Sequence, residues 1–130
     1  MGGRGEPFGP ILLVEDDPAI RRMMQLALED EGYEVVSVSD GVDALGAIAR
    51  RPPGLILLDL RMPRMNGWEF AEAYRASPAP HAPIVALTAG RDLAGKAEEV
   101  GATAHLGKPF DIAQLIDLVR ELMARRESGV

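Results

Sequence analysis

The sequence predicts a single α/β domain, a doubly wound sheet of five parallel strands with five helices on its two faces. Three observations carry this. Five short runs rich in apolar or β-branched residues alternate with five segments of helical periodicity, the order expected of strands joined by right-handed helical crossovers. Two of those runs, Ile11-Leu12-Leu13-Val14 and Leu55-Ile56-Leu57-Leu58, contain no polar residue at all, as strands buried on both faces require. Each then ends in carboxylates, Glu15-Asp16-Asp17 and Asp59. In open α/β sheets ligand chemistry sits at the carboxyl ends of the strands.

The elements follow in order. Ile11–Val14 is the first strand. Asp17-Pro18 opens a helix, with Asp17 read as a cap and Pro18 at the first helical position. Ile20, Met23, Met24, Ala27 and Leu28 fall at helical spacing as its apolar stripe, and Gly32 ends it. The β-branched run Tyr33–Val38 is the second strand. Asp40-Gly41 turns the chain into a helix packed through Val42, Leu45 and Ile48. Pro52-Pro53-Gly54 leads into the third strand, which Pro63 stops four residues after Asp59. A loop through Asn66-Gly67 precedes a helix carrying Trp68, Phe70, Ala71 and Tyr74, which are read as packing residues. The proline-rich stretch Ser77–Pro83 breaks that helix and leaves His81 solvated. Ile84–Leu87 is a fourth strand ending at Thr88. Arg91 to Val100 is a weaker helix, interrupted by Gly95 and poor in large apolar residues. A short fifth strand within Gly101–Gly107 runs to Lys108-Pro109-Phe110. Asp111 caps a last helix striped by Ile112, Leu115, Ile116, Val119, Leu122 and Met123. Met23, Met24 and Met123 read as core, while Met62 and Met65 flank the loop after Asp59.

At 130 residues the chain fits one domain, placed at 10–125 between a flexible leader, 1–9, and a flexible tail, 126–130. A net charge of −6 argues against non-specific binding to nucleic acid or to an anionic membrane. With no cysteine, a disulfide framework, thiol chemistry and a zinc–thiolate site are all excluded. No apolar run is long enough to span a bilayer, and the leader has no signal-peptide core, so a cytoplasmic location is expected.

If all the strands are parallel, one sheet edge collects Glu15, Asp16, Asp59, Thr88 and Lys108. Three crowded carboxylates each raise the cost of ionising the others, so a cation must compensate. Hard oxygen donors with room for water suit Mg²⁺. A metal, the Lys108 ammonium and the Thr88 hydroxyl around one carboxylate are what phosphoryl transfer to that carboxylate needs, because fixed cations and donors stabilise the charge spread over the transferring group. Asp59 is the nucleophile in this reading and forms an aspartyl phosphate.

Ile11–Asp17, Leu57–Gly67, Ala86–Ala89 and Gly107–Phe110 together resemble the response-regulator receiver domain of two-component signalling, in the family's order and spacing, over about residues 10 to 125. The resemblance, of the chemotaxis-regulator type, implies a flavodoxin-like sheet with strand order 2-1-3-4-5. It implies that Asp59 takes phosphate from a histidine kinase or histidine phosphotransfer protein. By the same resemblance, Asp16 is the direct Mg²⁺ ligand, Glu15 acts through the metal's waters, and the Arg61 backbone carbonyl completes the shell. Thr88 and the amide of Ala89 bind phosphoryl oxygens, Lys108 pairs with the phosphate, and the Lys108–Pro109 bond is cis. His105 stands where the family usually has a switching tyrosine or phenylalanine, Asn66-Gly67 where Asp-Gly is commoner, and Glu15 where aspartate is. Positions such as Arg61 and Gly90, two after Asp59 and Thr88, tune phosphate loss in the family. Its readout surface is the fourth helix, fifth strand and fifth helix.

The expected function is therefore a phosphorylation-driven interaction module rather than an enzyme, monomeric or dimerising on phosphorylation, either stand-alone or a receiver cut from a longer regulator or hybrid kinase. Ala102-Thr103-Ala104, before His105, lacks the acidic residues common in receivers that dimerise on DNA, and no direct nucleic-acid contact is expected of this chain. The alternative is a Mg²⁺-dependent phosphohydrolase with an aspartyl-phosphate intermediate, disfavoured because Arg61 stands where such enzymes place a second aspartate. A nucleotide- or flavin-binding module is weaker still, since Glu15-Asp16-Asp17 would repel a phosphate.

Overall fold

The computed structural model describes residues 9–127. The leader before Gly9 and the last three residues of the expected tail lie outside the described residues. The elements run β1 (Ile11–Val14), α1 (Pro18–Asp30), β2 (Val35–Val38), α2 (Gly41–Arg50), β3 (Leu55–Asp59), α3 (Gly67–Ala76), β4 (Ile84–Ala89), α4 (Leu93–Glu99), β5 (Ala104–Lys108) and α5 (Ile112–Glu127). All strand pairings are parallel, in the order β2-β1-β3-β4-β5. The predicted doubly wound fold is the one observed.

Strand alternation divides the interior into two cores. Leu12, Val14, Ile56, Leu58, Ile84 and Ala86 face α2, α3 and α4, where Ala44, Phe70, Ala71, Tyr74 and Ala97 meet them. Ile11, Leu13, Leu55, Leu57, Val85 and Leu87 face α1 and α5, packed by Met24, Leu28, Leu115, Val119 and Met123. β3 buries all five of its residues, Asp59 included. At roughly 2 kcal/mol for each leucine side chain removed from water, the central strands anchor the domain.

Several local expectations change in the structure. Met23 and Val42 are exposed rather than core. Only part of each helix circumference reaches the sheet: Met24 and Leu28 face inward on α1, and Gly41, Ala44 and Ala47 on α2. β2 begins at Val35, because the end of α1 takes Tyr33, whose N–H donates to Leu28 O at 3.2 Å. α4 is shorter than predicted, beginning after Asp92, whose side chain caps Gly95 N–H. α5 continues through Glu127. At its start Gln114 Oε1 accepts the Asp111 N–H at 2.9 Å. Asp17 caps α1, accepting from the Ala19 and Ile20 amides. His81 is exposed, but its ring packs edge-on against Tyr74 at 4.9 Å and contacts Ser77 O.

The start of α3 lies against the end of β3. A Cβ on Gly67 would fall 2.7 Å from Leu60 Cα and 3.0 Å from Asp59 O, which are backbone atoms that cannot swing aside. Gly67→Ala is therefore expected to destabilise the fold by about 2 kcal/mol, as overpacking does, read as a lower urea midpoint. An unchanged midpoint would show that the β3–α3 turn yields freely.

Candidate functional site

The sheet register brings the acidic residues and the lysine of the predicted site together. Val14 pairs with Leu58, so Glu15 and Asp59 emerge side by side from β1 and β3. Both continue the strand face turned toward α1 and α5, and Lys108 follows Ala104 and Leu106 onto the same face from β5. Lys108 Nζ donates to Glu15 Oε1 at 2.7 Å and lies 3.4 Å from Asp59 Oδ2. The Lys108–Pro109 peptide bond is cis, as is Ala79–Pro80. Glu15 is fully buried; its second oxygen accepts the Asp17 N–H at 3.1 Å. Asp59 is 4% exposed, and its Oδ1 accepts the Arg61 N–H at 3.2 Å. Asp16, in the loop after β1, is exposed.

Burial, then the charge of Glu15, raises the Asp59 pKa from 3.8 to about 7. Lys108 opposes that rise, a hydrogen bond with Asp16 adds to it, and the Arg61 amide opposes it again. Burial disfavours the charge on Lys108, but Glu15 and Asp59 outweigh it and hold the ammonium above the ordinary lysine pKa. One ammonium thus faces two buried carboxylates, with a third at the rim. Asp59 is thereby pushed toward its protonated form.

The donor set fits a divalent metal. One carboxylate oxygen each from Glu15, Asp16 and Asp59 lies within 4.8 Å of the others. Asp16 opens the cluster to water, which suits an ion that keeps much of its hydration. Both Glu15 oxygens accept hydrogen bonds, and the Asp59 oxygens face the Arg61 N–H and Lys108 Nζ, so the exposed Asp16 is the carboxylate most open to an incoming ion.

Thr88, Ala89 and His105 reach the same edge but are not drawn into this cluster. Alternation puts Thr88 on the opposite strand face from Asp59, with Ile84 and Ala86. It is buried, and its hydroxyl makes a long 3.4 Å contact to Ala89 O. The exposed Ala89 also receives Lys96 Nζ on its carbonyl at 3.2 Å. His105 is exposed on β5, in register with Ala86. Arg61 is exposed beyond Asp59. Beside the cluster lies a largely apolar groove of about 320 Å³, lined by Ile20, Met23, Ala89, Lys108, Pro109 and Phe110.

Contacts that sequence reasoning passed over also shape this edge. Arg21 Nη1 donates to Glu15 O at 2.8 Å, and Arg64 pairs with the buried Asp40. Asn66 and Glu69 form a reciprocal capping box at the start of α3. Asn66-x-x-Glu69 is a legible local signal. The Arg64–Asp40 contact spans 24 residues and has none.

Residues 11–120 match the family model described as response regulator receiver domain. Among curated proteins, the transcriptional regulatory protein PcoR of Escherichia coli is 38% identical over 91% of this chain and 53% of its own length. The DNA-binding response regulator MtrA of Mycolicibacterium smegmatis is 38% identical over 90% of this chain and 51% of its own. The chain spans about half the length of these relatives. Among solved structures, the chemotaxis response regulator CheY4 of Vibrio cholerae superposes with a TM-score of 0.81 at 34% identity, covering 88% of this chain and 98% of that one. A putative response regulator from Chloroflexus aurantiacus gives 0.81 at 32% identity, covering 90% and 98%.

Proposed function

The chain belongs to the response-regulator receiver domain family of two-component signalling, and from that premise we propose that Asp59 accepts a phosphoryl group from a phosphohistidine on a partner kinase or phosphotransfer protein, in a Mg²⁺-dependent reaction. The observation that carries this is the seat of Asp59: a buried carboxylate at a strand end, 3.4 Å from a fixed ammonium and clustered with two further carboxylates.

In the proposed step an Asp59 oxygen attacks phosphorus. An O–P bond forms, the P–N bond to the donor imidazole breaks, and the departing imidazole keeps the electron pair and takes up a proton. Bound Mg²⁺ supplies charge neutralisation for the equatorial oxygens. Asp16 and Asp59 would hold it directly, Glu15 through its waters, and the Arg61 carbonyl would complete its shell. Lys108 stays beside Asp59 to pair with the phosphate. The Ala89 amide and the Thr88 hydroxyl, bound only by its 3.4 Å contact, are the remaining donors at this edge. Rotation of Thr88 toward the phosphate would pass the change to His105 and the α4–β5–α5 face, the proposed readout surface.

A cytoplasmic location belongs to the same proposal. Among the described residues no helix is long and apolar enough to cross a membrane.

The test is intact mass after incubation with acetyl phosphate and with a phosphohistidine protein, with and without Mg²⁺. One added phosphoryl group is expected on the wild type, lost in Asp59→Asn and lost without metal. A folded wild type that gains no phosphoryl group from either donor in Mg²⁺ would overturn the reading.

A further inference from the structure

Resting on the phosphoacceptor reading above, we propose that Arg64 is a positioning residue. By clamping the β3–α3 loop onto the N-terminus of α2 through Asp40, it holds the Arg61 carbonyl in place for a divalent cation at the acidic cluster.

The backbone is the first indication. Arg64 has φ +64, and only one other non-glycine described residue, Asp92, shares the left-handed region. That conformation is strained for an ordinary side chain, and asparagine and aspartate enter it most readily because a short polar side chain can bond locally. Arginine has no such local partner, so contacts elsewhere must hold it.

Those contacts are on α2. Arg64 Nε donates to Asp40 Oδ2 at 2.7 Å, Nη2 contacts the same oxygen at 2.5 Å, and Nη2 reaches Asp43 Oδ1 at 3.3 Å. Asp40 is 4% exposed and divides its two oxygens: Oδ1 caps α2 by accepting the Asp43 N–H at 2.9 Å, and Oδ2 takes the guanidinium. An exposed ion pair contributes little, but a buried carboxylate left without its partner is costly. The pair is therefore held from the Asp40 end.

One residue on, the two backbones touch. The Gly41 N–H donates to Met65 O at 3.2 Å, and a Cβ on Gly41 would lie 2.9 Å from that oxygen. The loop that carries the Arg61 carbonyl is thus tied to Asp59 at its start, to Asp40 through Arg64 in its middle, and to Gly41 and the Asn66–Glu69 box at its end. Arg64 is the side chain that fixes the middle. It touches no reacting atom, and its effect is on where the Arg61 carbonyl sits.

Two variants isolate the clamp. Arg64→Asn tolerates the left-handed backbone and removes the reach. Asp40→Asn keeps an N-cap oxygen and removes the charge. Each is expected to weaken Mg²⁺ binding, measured by calorimetry on the full chain, by about tenfold, as loss of a residue supporting a ligand does. The double variant should be no weaker than either single one by more than about twofold, because both remove the same contact. Without metal, amide exchange at Arg61 and Gly41 should rise about tenfold in Arg64→Asn as the loop opens locally.

A lower urea midpoint with Mg²⁺ affinity within about twofold of wild type would make Arg64 merely structural and overturn the proposal. A wild type that binds no Mg²⁺ removes the phosphoacceptor reading instead. The exchange rates at Arg61 then decide on the clamp by themselves: faster supports it and unchanged overturns it.

Discussion

Lys108→Ala is expected to destabilise the metal-free protein by about 3 kcal/mol, the low end of the cost of breaking a buried ion pair, because Lys108 itself keeps some contact with water. The reason is Glu15. It is fully buried, and Lys108 Nζ at 2.7 Å is its only ionic partner among the described residues. Without the ammonium, Glu15 and Asp59 face one another with only amides to offset their charge. The raised pKa of Lys108 fixes the pH range: a group held above its unfolded value contributes fully below about pH 10.5 and loses that contribution as pH rises through the folded pKa. The deficit should therefore be complete at neutral pH. Saturating Mg²⁺ should recover part of it, since a cation bound only by the folded state adds stability. Urea unfolding at pH 7.5, with and without Mg²⁺, makes the measurement. A midpoint equal to wild type in the absence of metal would mean that Lys108 does not compensate the cluster.

Asp59→Asn should do the reverse and stabilise the metal-free fold by about 2 kcal/mol at pH 8. Raising a carboxyl pKa from 3.8 to about 7 corresponds to a cost of ~4 kcal/mol once the group is ionised in the folded state. About half of that should return on neutralisation, because Lys108 then has one fewer carboxylate to pair with. Below about pH 4, Asp59 is protonated both folded and unfolded and contributes nothing. Between pH 4 and about 7, the unfolded chain has given up the proton that the folded chain keeps, so wild-type stability falls as pH rises. Above about 7 the loss is complete and the curve flattens. Asp59→Asn should lack that slope, and Mg²⁺, which stabilises the ionised form, should narrow the gap between the two proteins. Equal stability and equal pH slopes would show that Asp59 carries no such burden.

The two predictions describe one device. The metal-free site holds more negative charge than its single ammonium can offset, an imbalance that the proposed Mg²⁺ binding would relieve. Buried carboxylates at a strand end cost stability unless they are paired, which is the burden both predictions measure.

Local signals were enough to read most of the frame. Unbroken apolar runs at Ile11–Val14 and Leu55–Leu58 marked the central strands, since nothing polar survives between two helix layers. Asp17-Pro18 marked the start of α1, and Gly32 lies just past its end. Where burial is one-sided, the same reasoning slipped. Met23 lies on the apolar stripe of α1 but borders the groove beside Lys108, and Val42 lies on α2 away from the sheet. A helical stripe gives the direction of the core only to within a residue's turn, because 3.6-residue periodicity fixes a face and not its depth.

The sequence by itself determined the strand and helix order, the parallel sheet, and the carboxylates, hydroxyl and lysine that collect at one edge, because each follows from patterns within a few residues. Only the tertiary structure decided what those groups do to one another. Lys108 lies against Glu15 more closely than against Asp59, Thr88 stands on the opposite strand face, His105 is open to solvent, and Arg64 reaches back to a buried Asp40. Such contacts join residues dozens of positions apart, and their strength depends on distance and burial. Neither is set by local sequence; both come from the register of the sheet and the docking of its loops.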